Sequence, residues 1–208
     1  MSKKKKGKKG RKEAFDPEKD TGILRPVDMT IAAGEINDRY SDYPSRGLNP
    51  VKLASILRDA DEGNVRSQME LFEEMEEKDA HLFSQMQTRK LAVTGLDWEV
   101  QPFSPDDGQD KAIAEWIKDQ LLGIENLDDI LTDLLDAIGK GVSIMEIIWG
   151  VDSDDFDVIE DIRYVHQKKL VWDWETDDML VCTEQFPNGI HLPKNKFVVH
   201  RYKAKSGH

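Results

Sequence analysis

The spacing of apolar residues changes along this chain, and that change sets the fold class. Up to about residue 139, apolar side chains recur every three or four positions, as in amphipathic helices, whereas from Val142 onward they alternate, as in strands. The first pattern predicts helices at about 49–61, 65–93, 111–122 and 127–139. The second predicts strands at about 142–149, 159–166, 169–174, 179–183 and 197–202, and one further strand is predicted at 96–101. Together they predict an α+β fold in which helices pack with an antiparallel, strand-rich C-terminal half.

Local signals predict where the helices begin and end. Asn49 is a good N-cap, and Pro50 suits the first helical position. The apolar period slips around Asp79, so the segment 65–93 is either one kinked helix or two helices in tandem, the second capped by Asp79. Gly95 is placed to end that segment, and Gly141, with Gly139, is placed to end the helix at 127–139.

Charge divides the chain into two parts. Residues 1–12 hold eight basic side chains and no acidic one, whereas the rest holds 21 basic side chains (29 less these eight) and all 41 acidic ones, a net charge of −20. We expect residues 1–30 to be a disordered basic arm and residues 31–208 to form the folded region. The basic side chains either contact nucleic acid or only keep the chain soluble; they are Lys3, Lys4, Lys5, Lys6, Lys8, Lys9, Arg11 and Lys12.

The cysteine content and the hydropathy of the chain indicate the cellular compartment in which the protein occurs. The single cysteine, Cys182, excludes an internal disulfide and favours a reducing compartment. The basic N-terminus has no apolar stretch behind it, so it does not match a secretory signal. No run approaches the roughly 20 apolar residues that span a bilayer, and we expect no membrane association.

The motifs that would indicate an enzyme fail when they are checked. Gly139-Lys140-Gly141 has Ile144 where a dinucleotide fingerprint needs a third glycine, and it follows a helix instead of opening one. The histidines and Cys182 show no zinc-ligand spacing, and Ser143 lacks the glycines of a nucleophile elbow. We therefore predict no enzyme activity, no cofactor and no small-molecule substrate.

The acidic run from Asp152 to Asp161 does not have the spacing of a calcium-binding loop. A loop of the EF-hand type that starts at Asp152 would need a glycine at 157 and a glutamate at 163, where this chain has Asp157 and Arg163. An acidic hairpin loop is the better interpretation, although a metal-dependent enzyme built on this run is kept as a third hypothesis.

Five tryptophans suggest either core anchors or a surface on which nucleic-acid bases stack, and the first interpretation is favoured. They are Trp98, Trp116, Trp149, Trp172 and Trp174. Trp172 and Trp174 lie two positions apart and should share one strand face.

Several separated blocks of sequence resemble one family. The run LFEEMEEKDAHLFSQMQTRKLAVTGLDWEV resembles the signature of Mu-like phage portal proteins, also called head–tail connectors. A second block, GKGVSIMEIIW, is similar to a strand of that family, and a third, IRYVHQKKLVWD, resembles the strand pair after it. The resemblance runs in order from Ile31 to His208. The family-signature residues, to which it implies structural roles, are Asp79, His81, Arg89, Asp97, Trp98, Glu146 and Trp149.

The resemblance implies a structural function. Portal proteins of this kind form a dodecameric ring at one capsid vertex, and double-stranded DNA is packaged and ejected through it. The implied partners are further copies of the chain, terminase, capsid or scaffold proteins and tail-adaptor proteins. The implied location is the host cytoplasm during assembly and then the virion. The matched region resembles the outer, wing-like part of the subunit, so we expect the chain to stop before the stem and clip. The alternative function is a nucleic-acid-binding adaptor that acts through the lysine-rich arm.

Overall fold

Helices precede strands in the computed structural model, which describes residues 30–33, 43–153, 156–173 and 175–203. The helices are α1 (Pro50–Asp61), α2 (Arg66–Lys78), α3 (Ala80–Thr94), α4 (Gly108–Leu122), α5 (Leu127–Leu134) and α6 (Ala137–Lys140). The strands are β1 (Val142–Val151), β2 (Asp157–Val165), β3 (Leu170–Asp173), β4 (Asp178–Val181), β5 (Ile190–His191) and β6 (Phe197–Arg201), with a 3-10 turn at Gln167–Lys169 before β3. The α+β class is therefore confirmed.

The strands form two small antiparallel sheets. One has the order β2-β1-β6 and the other the order β3-β4-β5. In the first sheet Met145 of β1 lies opposite Tyr164 of β2 on one side and Val198 of β6 on the other. Strand β1 ends at Val151 and β2 begins at Asp157, so Asp152 lies in the connection whereas Asp157, Glu160 and Asp161 of the acidic run lie in β2. The interpretation of the whole run as a hairpin loop is therefore correct only in part.

Strand β1 is the centre of the molecule because both of its faces are buried. Ile144 is 0% exposed and belongs to the apolar cluster that also holds Met69 of α2 and Val181 of β4. Met145, on the opposite face, is 1% exposed and packs with Ile130 of α5 and Ile162 of β2. A strand that is covered on both faces carries a nearly continuous apolar run, and such a run is the pattern that predicts the strand at 142–149.

The segment predicted as 65–93 consists of two helices. Asp79 lies between α2 and α3, and its carboxylate accepts hydrogen bonds from the backbone N–H groups of His81 at 2.9 Å and Leu82 at 3.0 Å. These two donors have no partner inside the helix, so a side-chain acceptor at this position starts a new helix. The tandem alternative is confirmed.

Three other helix boundaries differ from the prediction. The stretch predicted as one helix at 127–139 is two helices, α5 and α6, with a break at Leu135–Asp136. Gly141 ends α6 in the left-handed conformation (φ +83°), as expected, but Gly139 lies inside that helix. Helix α4 begins at Gly108, three residues before the predicted start, because Asp107 accepts a hydrogen bond from Gln109 N–H and caps it.

The predicted strand at 96–101 was wrong. These residues alternate apolar and polar side chains, yet they form no strand, and Leu96 and Trp98 are 66% and 39% exposed. Alternation shows that a segment can lie on a sheet, but a strand also needs a neighbour to bond to. Within the described parts of the chain, this segment has no such neighbour.

Several apolar residues on the helices are exposed. Met75, Phe83, Ile113 and Trp116 are between 45% and 49% exposed. In α4 only Ala114 is buried. Helical period identifies an apolar face, but whether another element covers that face depends on the tertiary arrangement. Strand β5 was not predicted, because two residues are too few to show alternation.

Candidate functional site

The carboxylate of Glu146 is the most buried acidic group among the described residues, with 0% exposure. It accepts hydrogen bonds from three successive backbone N–H groups, those of Ile31, Ala32 at 2.7 Å and Ala33 at 2.5 Å. Lys196, itself 1% exposed, lies 3.6 Å from the same carboxylate. A buried carboxylate is stable only when it is paired and hydrogen-bonded, and this one is both.

Lys169 completes this contact from the other side. Its ammonium group donates a hydrogen bond to the carbonyl oxygen of Ala32. Burial lowers the pKa of Lys169, although the nearby Glu146 opposes that effect. The segment Ile31–Ala33 is thus held through its backbone groups, while its side chains pack in or against the main apolar cluster.

A second ionic cluster joins the helices to each other. Asp136, in the break between α5 and α6, accepts hydrogen bonds from the ammonium groups of Lys90 on α3 and Lys140 on α6. Lys90 also contacts Glu76 at 3.3 Å, and Lys140 also donates to Glu73. The two lysines are 4% and 5% exposed, so this network fixes α2, α3, α5 and α6 together from the inside.

The charges in this cluster change one another's pKa values. Burial would raise the pKa of Asp136, but Lys140 and Lys90 outweigh burial and hold it below its ordinary value. Burial would lower the pKa of each lysine, but the neighbouring carboxylates outweigh burial and raise the pKa. These carboxylates are Asp136 and Glu76 for Lys90, and Asp136 and Glu73 for Lys140. Asp136 and the two lysines are therefore held in their charged forms, which is suited to rigid packing and unsuited to proton transfer.

A tyrosine and a histidine lie beside the cluster. The hydroxyl of Tyr164 donates to the side-chain oxygen of Gln167, and burial, followed by the charge of Asp136, raises the pKa of Tyr164. Burial lowers the pKa of His166 to about 4, and its Nδ1 atom accepts a 3.1 Å hydrogen bond from the N–H of Lys168. Both side chains are therefore neutral near pH 7.

The signature residues do not converge on one place. Asp79 caps α3, while His81, Arg89, Asp97 and Trp98 lie on the exposed surface of α3 and the segment after it. Trp149 is half-buried on β1 and donates from its indole nitrogen to the carbonyl oxygen of Asn195 at 2.9 Å. Glu146 alone lies in the core. Their shared role in the family stays a prediction.

The favoured interpretation of the tryptophans is correct only in part. Trp172 packs against the main core cluster, but Trp98 and Trp116 are 39% and 45% exposed and are not core anchors. Trp174 lies outside the described residues, as do the eight basic residues of the arm, so the shared face of Trp172 and Trp174 and the contact with nucleic acid both stay predictions.

The metal hypothesis gains no support from the described residues. They contain no cluster of three or more His, Cys, Asp or Glu side chains that could hold an ion. In the acidic loop, Asp152 instead accepts a 2.9 Å hydrogen bond from the N–H of Phe156. Cys182 lies directly after β4, half-buried, and burial raises the pKa of its thiol.

The ion-pair cluster was missed from the sequence. Lys90, Lys140 and Asp136 were not singled out as buried charges. A charged residue on the inner stripe of a helix is the available signal, and Asp136 lies within the apolar run of 127–138. Its partners could not have been named, since they come from helices far apart in the chain. Where the chain is described, no helix is both long and apolar enough to span a lipid bilayer.

Comparison with known proteins identifies the family. Residues 69–208 match the family described as the portal protein of Mu bacteriophage. The chain is 34% identical over 172 residues to the Mu-like prophage FluMu protein gp29 of Haemophilus influenzae, a match that covers 81% of this chain and 33% of that protein. It is also 40% identical over 112 residues to the portal protein of Escherichia phage Mu, covering 54% of this chain and 22% of that protein. The chain thus spans about a third or less of the length of these two relatives. Because the family match extends over more than half of the chain, the chain belongs to the Mu bacteriophage portal protein family.

Proposed function

We propose that the chain is the outer, wing-like part of a portal subunit, and that the subunit forms the capsid-vertex ring through which DNA is packaged and ejected. The observation that carries the proposal is the match of residues 69–208 to the Mu portal family. It extends from α2 to the last described strand, β6, and so includes both sheets and the ion-pair cluster.

The physical character of the fold supports a structural role. Strand β1 is buried on both faces, and the cluster around Asp136 ties the helices together with fully charged side chains. A rigidly packed fold of this kind suits a subunit that must keep its shape within a large assembly. The net charge of −20 outside the first twelve residues suits a surface past which DNA moves without adhering.

The partners follow from this role. They are further copies of the subunit, the capsid or its scaffold, terminase, the tail adaptor and double-stranded DNA in passage. The subunit would assemble in the host cytoplasm and remain in the virion. Residues 1–30 would form a basic arm beside the folded region of residues 31–208, and the subunit itself would carry out no catalysis.

A complementation experiment tests the proposal. A Mu lysogen that lacks its portal gene is supplied with a chimeric Mu portal in which residues 69–208 of this chain replace the matching segment. We expect plaque-forming phage to be restored, and purified chimera to form closed rings in electron micrographs. The intact Mu portal is the positive control. A chimera with Ile144→Asp, which places a charge at a fully buried position, is the matched negative control. A soluble, folded chimera that forms no rings and is absent from capsids would overturn the proposal.

A further inference from the structure

The segment Leu96–Gln101 has the sequence of a strand and the surroundings of an unpaired one. Leu96, Trp98 and Val100 alternate with Asp97, Glu99 and Gln101. Apart from the bond from Leu96 N–H to the carbonyl oxygen of Val93, no backbone group of the segment bonds to a described residue. A segment with strand-like alternation and free backbone donors and acceptors is suited to pairing with the edge of a sheet.

Strand β6 offers an open edge of matching length. It lies at the edge of the sheet β2-β1-β6 and is five residues long. Ile147 N–H donates to the carbonyl oxygen of Lys196 at 2.8 Å, and Tyr202 N–H donates to that of Gly141 at 2.9 Å. Because bonding alternates in an antiparallel pair, the backbone groups of Phe197, Val199 and Arg201 point away from β1. No described residue bonds to them.

The other sheet edges are either bonded at some position or very short. At the outer edge of β2, the N–H of Ile159 donates to the side-chain oxygen of Gln120 on α4 at 3.1 Å. At the outer edge of β3, the N–H of Trp172 donates to the carbonyl oxygen of Gly63 at 2.9 Å. Strand β5 has two residues. Each of these edges is therefore short or already bonded at some position, whereas no described residue bonds to the outward-facing backbone groups of β6.

Charge and apolar surface also match β6. The segment 96–101 carries the exposed carboxylates Asp97 and Glu99, and the open end of β6 carries the exposed Arg201 and Lys203. Val199, 36% exposed, offers an apolar contact to the row that contains Leu96 and Trp98. Strand β2 would repel the segment, because it carries three carboxylates against one guanidinium; these residues are Asp157, Glu160, Asp161 and Arg163.

We propose that Leu96–Gln101 of one subunit pairs as an added strand with the open edge of β6 in a second copy of the chain. The segment and β6 do not pair within one subunit, and each copy carries one of each. The contact is therefore head-to-tail, and repeated contacts of this kind close into a ring when the rotation permits. The inference rests on the proposed function, because it names the contact through which the ring subunits would join.

Cysteine trapping between two populations of the chain tests the pairing. In a Cys182→Ala background, one population carries Cys at position 97, 99 or 101 and the other carries Cys at position 199 or 201. A disulfide needs β-carbons about 3.5–4.5 Å apart. We therefore expect the yield of cross-linked dimer to be about tenfold higher for one or two pairs of cysteine positions than for the other pairs. Since each molecule carries one cysteine, every heterodimeric cross-link is intermolecular. The control pairs Glu99→Cys with Asp157→Cys, on the edge of β2.

Backbone and charge variants show whether a cross-link arises from strand pairing or only from two surfaces that lie near each other. Glu99→Pro removes a backbone N–H and should abolish the trapping, whereas Glu99→Ala keeps that N–H and should retain most of it. The yield of cross-linked dimer should fall in the double variant Asp97→Lys/Glu99→Lys, because it reverses the charge of the segment. The yield should return when the partner carries the double variant Arg201→Glu/Lys203→Glu. All these positions are exposed, so circular dichroism should show unchanged folding.

Equal yields at β6 and β2, or no yield above background at any combination, would overturn the pairing. The outcome is separable from that of the proposed function. Rings formed by the chimeric portal without cross-links at β6 would refute the pairing and leave the portal role intact, whereas a chimera that forms no rings would refute the portal role itself.

Discussion

The carboxylate of Glu146, in the middle of β1, accepts a 2.7 Å hydrogen bond from the backbone N–H of Ala32, which lies 114 positions earlier in the chain. The same carboxylate bonds to the residues on both sides of Ala32 and lies 3.6 Å from the ammonium group of Lys196. This side chain, together with Lys169, therefore attaches the segment Ile31–Ala33 to the central sheet.

We expect Glu146→Ala to lower the free energy of unfolding by about 3–5 kcal/mol, because it leaves the buried Lys196 without this partner and three N–H groups without an acceptor. Urea denaturation followed by circular dichroism measures the change. Limited proteolysis should also cleave sooner near Ala32. Glu99→Ala, at an exposed position, should alter stability by no more than about 0.5 kcal/mol. A loss below about 1 kcal/mol in Glu146→Ala would contradict this account.

The cluster around Asp136 predicts opposite effects for two neighbouring aspartates. Asp136→Asn removes the charge that faces both Lys90 and Lys140, and we expect a loss of about 3–5 kcal/mol in thermal or urea unfolding at pH 7. Asp133 is the matched control: burial, and then the charge of Asp136, raises its pKa, so its ionised form is disfavoured in the folded protein. Asp133→Asn should be neutral or stabilising at pH 7. A destabilisation of similar size in both variants would refute the assignment.

His166 predicts a loss of stability in mild acid. Burial lowers the pKa of His166 to about 4, whereas in the unfolded chain it titrates near 6.5. Between these values the unfolded state binds a proton that the folded state does not, so stability is full above about pH 6.5 and falls toward pH 4. We expect about 2 kcal/mol of this contribution to be lost between pH 7 and pH 5.

His166→Asn, which keeps a side-chain acceptor for the N–H of Lys168, should remove most of this pH dependence in urea titrations at the two pH values. His81→Gln, on the exposed side of α3, should leave it unchanged. An unaltered pH dependence in His166→Asn would assign the effect to another group.

A substitution at Gly63 should lower stability, because the backbone of this residue contacts the backbone of β3. Its φ is +94°, and a β-carbon there would lie 2.1 Å from the carbonyl oxygen of Trp172, which cannot move aside as a flexible side chain could. We expect Gly63→Ala to cost at least about 2 kcal/mol in urea unfolding. Gly108→Ala, where no atom lies within 4 Å and a helix begins, should be neutral or slightly stabilising. Equal stability of the two variants would contradict the contact.

Local patterns were sufficient for much of the secondary structure. Asn49 and Asp79 were recognised as caps because capping depends on the nearest few residues, and the side chains of both accept the expected N–H bonds. Strand β1 was predicted correctly because a strand that is buried on both faces has apolar residues at nearly every position. The break at Asp136 was not predicted, because the two lysines that stabilise a carboxylate there lie on separate helices.

The sequence by itself determined the α+β class, the order of helices before strands, the caps and the family, since each of these depends on local composition or on ordered blocks of residues. Only the tertiary structure decided that Glu146 is a buried anchor, that Asp136 pairs with two lysines, and that 96–101 pairs with no described strand of its own chain. The physical reason is the same in all three cases. Burial, ion pairing and strand pairing are relations between residues far apart in the chain, and a residue's own neighbours in sequence do not specify its partner.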